Sequence, residues 1–143
     1  MSSPSSSTVA HRLGYLALLP FVAGALAIWF VREDARGYAT LALSAYAAVV
    51  LAFLGGIHWG FGFRDAAAPV QLYTWGVVPP LVAGVALVMQ PPAALVIHGA
   101  MLVACYAVDR RVYPRCGAAA WLVLRFRLTG VAALCCFLGS AGS

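Results

Sequence analysis

Residues 38–63 read YATLALSAYAAVVLAFLGGIHWGFGF and contain no charged side chain. An uninterrupted apolar run of more than about 18 residues is long enough to cross a bilayer as a helix. At about 1.5 Å per residue this one reaches about 39 Å, which exceeds a hydrocarbon core of roughly 30 Å and allows for tilt. Arg64 and Asp65 end it.

Working outward, the same pattern recurs on both sides. The span 13–31 is interrupted only by Pro20 and closes on ArgGluAspAlaArg at 32–36, which belongs in a turn. The span 72–89 holds Pro79 and Pro80, which remove backbone donors and predict a kink near its middle. GlnProPro at 90–92 stops it. The next run, 93–108, is short for a crossing and is read as closing at AspArgArg, 109–111, with membrane thinning or snorkelling covering the mismatch. The last, about 122–140, carries Arg125 and Arg127 at its start, where they are expected to snorkel to the interface. The expected fold is all-α, a polytopic bundle of five transmembrane helices.

Composition leads to the same class. Of 143 residues, 64% are hydrophobic and 9% charged, and the mean hydropathy is +0.93. A soluble domain carries roughly 25% charge, and a water-facing fold this apolar would have no polar surface. Five crossings leave no room for a separate soluble domain. Residues 1–12, beginning MSSPSSSTVA, read as a disordered polar tail ahead of one helical membrane domain, 13–143. The apolar run after His11 and Arg12 is longer than a signal-peptide core, and its IleTrpPheVal end is unlike a cleavage site.

All nine basic residues are arginine, and the net charge is +5. With five crossings, Arg12, Arg64, Arg110, Arg111, Arg115, Arg125 and Arg127 share the amino-terminal side, and Arg32 and Arg36 lie on the other. Positive residues stay inside, so the amino terminus is expected in the cytoplasm and the carboxyl terminus outside. The same charge is a topology and lipid signal; no basic stripe with interleaved polar residues suggests nucleic acid. Arg110, Arg111, Arg115, Arg125 and Arg127 are candidate contacts for anionic lipid headgroups, with simple positive-inside anchoring the plainer explanation. Trp59, Trp75 and Trp121 fall near that boundary, as an aromatic belt would.

Chemistry concentrates in LeuGlyGlyIleHisTrpGly at 54–60. Gly56 and Gly60 form a small-xxx-small pair that would admit a second helix. His58 lies off that face, between Gly55 and Gly62, and is expected to meet a neighbouring helix. Its readings are an interhelical hydrogen bond or a functional proton or ligand site. Gly55, Gly56, His58, Trp59 and Gly60 are therefore the candidate residues. Pairing His58 with His98 as haem ligands fails on depth, since the two sit near opposite ends of their helices. Cys105, Cys135 and Cys136 lie in apolar runs and Cys116 in an Arg-rich loop, a spacing that suits neither a metal site nor disulfides. No cofactor or metal is expected. Asp109 is read as a local ion pair or a water-facing helix end, because no companion carboxylate or triad is visible at depth.

YAAVVLAFLGGIHWGFGF at 46–63 resembles the signature of the transmembrane protein sixty-nine-like family, a domain of unknown function. LGYLALLPF at 13–21, WGVVPPLVAG at 75–84 and WLVLRFRLT at 121–129 match in order, after an Asp at 109. The resemblance implies a compact helical membrane domain, with an inner mitochondrial setting in eukaryotes, and it transfers no catalytic residues. Alanine-rich composition without lysine favours a bacterial cytoplasmic membrane over the mitochondrial inner membrane.

Three functions fit this reading. The first is a non-enzymatic accessory or assembly factor packed against a larger membrane complex, plausibly respiratory; a homo-oligomer is the alternative partner. The second is a small channel or carrier using His58 and the Pro79–Pro80 kink. The third is a quinone-linked redox protein.

Overall fold

The computed structural model describes residues 3–143, so disorder expected at residues 1 and 2 lies outside the described residues. Six helices follow one another: α1 (Ser6–Leu16), α2 (Leu19–Phe30), α3 (Glu33–Phe63), α4 (Val70–Leu87), α5 (Pro91–Arg115) and α6 (Leu122–Gly142). Among the described residues there is no strand. Five stretches are long and apolar enough to cross a membrane: Ser6–Phe30, Glu33–Phe63, Val70–Leu87, Pro91–Arg115 and Ala119–Gly142.

The first stretch starts earlier than its apolar run. Ser5 caps α1 by accepting the Thr8 backbone N–H at 3.3 Å, which satisfies one of the orphan donors of the first turn. Residues 6–12, read from composition as tail, are therefore helical. The break at Ala17–Leu18 sits just ahead of Pro20 at the start of α2, whose ring would clash with the carbonyl four residues earlier.

α5 corrects the sequence reading most. It does not stop at Val108 but runs 25 residues to Arg115, about 37 Å, so there is no mismatch to cover. Asp109 is buried while Arg110 and Arg111 are exposed; one charge turns inward to partners and two turn outward, so no turn is needed. The helix ends on Gly117, at φ 73°. The Ala118 N–H donates to the Tyr113 carbonyl at 2.8 Å, a left-handed cap that an L side chain adopts only with strain.

α3 is the central element and touches α2, α4, α5 and α6. Its buried Leu43, Ala47 and Leu51 pack with Phe21 and Ile28 of α2, Leu95 and Leu102 of α5, and Ala132 and Cys136 of α6. Large apolar groups also cover the outside; Phe30 is 83% exposed and Phe63 73%. An outer face as apolar as the core suits lipid and is out of place in water.

The glycine contacts differ from expectation. The close α3–α4 approach is made by Gly55, not by the Gly56 and Gly60 pair. A Cβ on Gly76 would stand 2.7 Å from the Gly55 carbonyl, and one on Gly62 would meet the Tyr73 ring at 2.5 Å. Gly56 and Gly60 have nothing within 4 Å of a built Cβ. Pro80 removes the donor that would otherwise reach the Gly76 carbonyl, and that carbonyl faces Gly55. α4 continues as helix through both prolines.

Candidate functional site

Three long helices bring one titratable side chain each to a single point near the end of the bundle that holds Arg64 and Arg115. His58 of α3 places Nε2 2.8 Å from Asp109 Oδ1 of α5. Arg125 of α6 donates to Asp109 Oδ2 through Nε at 3.0 Å and Nη2 at 2.7 Å. Arg125 Nη1 reaches Thr129 Oγ1 at 3.4 Å. His58 is 1% exposed, Asp109 2% and Arg125 8%. The carboxylate is set between a guanidinium and an imidazole, so each ionisable group has a partner. Such pairing is the condition for keeping ionisable groups at membrane depth.

This arrangement overturns two readings. Asp109 is neither locally paired nor facing water, and Arg125 does not snorkel to the interface. Among the other candidate lipid contacts, Arg110, Arg111, Arg115 and Arg127 are exposed, with Arg127 donating to Tyr15 at 3.2 Å. The signal that could have found the triad is the lone acid near the end of a hydrophobic run. In lipid, an ionisable residue takes a partner across the bundle, and Arg125 was the basic residue equally out of place.

The carboxylate fixes the imidazole tautomer. Asp109 only accepts, so the proton of a neutral His58 lies on Nε2, and Nδ1 presents a lone pair. That Nδ1 is buried and has no partner, and so is the indole Nε1 of Trp75. Both residues line one cavity of about 740 Å³, together with Arg64, Asp65, Gln71 and Arg115. In that neutral tautomer the imidazole orphan accepts, and the indole orphan donates. Buried polar atoms are ordinarily satisfied, so two unpartnered ones on residues that line one cavity mark it as the candidate site.

Trp59 donates its indole N–H to the Tyr73 carbonyl at 3.0 Å, and with Gly55 it seals the α3–α4 contact. Pro79 and Pro80 are absent from the lining of this cavity. His98 bonds Ser44 Oγ through Nδ1 at 3.2 Å and the Ala83 carbonyl through Nε2 at 3.3 Å. Ser44 and His58 stand 14 positions apart on α3, about 21 Å along its axis, which keeps the two histidines from sharing one haem. Cys105, Cys135 and Cys136 are buried. Among the described residues no group of His, Cys, Asp and Glu could hold a metal.

With the whole length folded around this triad, the family match can be placed on the structure, since it spans residues 6–141 and so covers every helix. The chain belongs to DUF3429, a family of proteins of unknown function. No curated protein and no solved structure matches it. The DUF3429 match therefore includes His58, Asp109 and Arg125 on their three separate helices.

Proposed function

We propose that this protein is a non-enzymatic, ligand-binding protein of the bacterial cytoplasmic membrane, with its amino terminus inside and its carboxyl terminus outside. The observation that carries the reading is the pair of complementary orphan atoms, His58 Nδ1 and Trp75 Nε1, on one cavity. A ligand bearing a hydroxyl or a protonated acid would donate to the imidazole and accept from the indole. Arg64 and Arg115 outnumber Asp65 in the lining, which favours a molecule that also carries negative charge. Asp109 and Arg125 act as positioning residues: they hold the imidazole ring and its tautomer and leave Nδ1 without a protein partner. The seven-to-two distribution of arginine supports the orientation.

The test is recovery of bound molecules. Protein purified in mild detergent is denatured, and the released small molecules are compared by mass spectrometry between wild type, His58→Leu and His98→Leu. A species that disappears only with His58→Leu supports the reading. Identical profiles for all three would sink it.

A second reading, the accessory or assembly factor, is favoured by the open glycine face. Gly56 and Gly60 lie on the exposed side of α3 with Val49, Phe53 and Phe63. A helix of a larger membrane complex, plausibly respiratory, would pack there. Mild-detergent purification should then recover a stoichiometric partner that Gly56→Leu releases. Elution alone, or only as a homo-oligomer, would end this reading.

A further inference from the structure

On the far side of the triad lies a second cavity, a cleft of about 780 Å³ between α1, α3 and α6. Its volume falls within the range that holds a ligand of several tens of atoms. Along α3 the lining runs from Arg64 to Tyr46, about 27 Å of helix. Leu13, Val49, Val50, Phe53 and Leu128 make most of its length apolar. At the far end the Tyr46 hydroxyl donates to the Ala17 carbonyl at 2.7 Å and pins the break between α1 and α2 across the cleft.

The two ends are chemically unlike. Arg64 and Arg125 line the near end, and no Asp or Glu lines any part of the cleft. Asp109 neutralises Arg125, whereas among the described residues Arg64 forms no ion pair. A guanidinium with no carboxylate in ion-pair contact thus stands at the mouth of a long apolar trough. We propose that the cleft holds an acyl chain of an anionic phospholipid, with the phosphate against Arg64 and the tail running toward Tyr46. A zwitterionic lipid supplies the same tail and lacks the net negative charge, so charge at the mouth sets the preference.

The cleft and the His58 cavity share Phe61, Arg64 and Cys116, so the Arg64 guanidinium stands between them. Ala17 and Val49 line the cleft alone. The lipid headgroup would stand beside the one triad member, Arg125, that faces this side.

The proposal is tested by native mass spectrometry of the intact protein, released from detergent micelles doped with equal dioleoyl phosphatidylglycerol and dioleoyl phosphatidylcholine. One phosphatidylglycerol per chain is expected in preference. Arg64→Gln should lower its retention about fivefold, as loss of one basic residue near a lipid headgroup implies. Arg32→Gln, at the opposite end, should leave it unchanged. Ala17→Phe fills the trough and should remove both lipids; Val49→Trp repeats that test from the α3 wall should the first variant fail to fold. His58→Leu should keep the lipid, which separates this site from the ligand cavity. Equal retention of the two lipids, an equal effect of Arg32→Gln, or lipid surviving both filling substitutions would overturn the proposal. So would a dimeric mass without lipid, which assigns the cleft to a second copy.

Discussion

Two histidines are buried in this bundle, and they differ in what their second nitrogen does. His98 uses both, accepting from the Ser44 hydroxyl and donating to the Ala83 carbonyl, and so ties α5 to α3 and α4. His58 uses one, on Asp109, and leaves the other without a partner beside a cavity that the residue lines. The side chains are almost equally hidden, at 0% and 1% exposure. Burial therefore does not distinguish them. Unspent hydrogen-bonding capacity does, and it is what separates a binding group from a tie between helices.

The comparison breaks most severely if the pedestal under His58 is removed. Asp109→Asn leaves the Arg125 guanidinium buried without its counter-charge, a loss on the order of 3–5 kcal/mol. A large fall in the thermal unfolding midpoint in detergent is expected. Adding Arg125→Met to Asp109→Asn deletes the stranded charge and should recover most of the loss. If the single variant melts with the wild type, the triad is not a charge-balanced unit and His58 has no fixed tautomer.

A smaller effect is expected at the other histidine. His98→Leu strands the Ser44 hydroxyl and weakens the hold on α4, at about 1–3 kcal/mol, read from the same melt. The contrast sharpens further by chemical labelling. Diethyl pyrocarbonate needs an imidazole nitrogen with an open lone pair, so if the cavity opens to admit a ligand, His58 should be carbethoxylated before global unfolding and His98 only with it. Peptide mass spectrometry resolves the sites. Equal labelling would mean that the cavity gives His58 no distinct access.

Most of the fold was legible because lipid imposes a simple rule: a helix long enough to span must be apolar throughout. That rule located all five crossings and placed His58 against a neighbouring helix. It failed where charge entered a span. Asp109, Arg110 and Arg111 looked like a terminus because three charges in a row belong in water, yet helical geometry sends adjacent residues to different faces. Only Asp109 points inward. Arg125 was misplaced for the same reason, since its partner lies 16 positions away on another helix and no local pattern marks it. The cavities were invisible in sequence because they are made by the gaps between helices.

The smallest expected effect concerns neighbouring glycines with opposite surroundings. Gly55 faces the Gly76 carbonyl across the α3–α4 contact, whereas Gly56 and Gly60 open outward. In an exposed helix interior, Gly→Ala raises helix propensity by at most about 1 kcal/mol. Gly56→Ala combined with Gly60→Ala should therefore leave the melting midpoint of the isolated chain unchanged or slightly higher. If a partner helix packs against that face, the added methyls obstruct it and co-purification should fall while the melt holds. A lower midpoint in the isolated chain would show that the face is already occupied, by lipid ordered on it or by a second copy, and that the outer side of α3 is no freer to accept a partner helix than the inner side that carries His58.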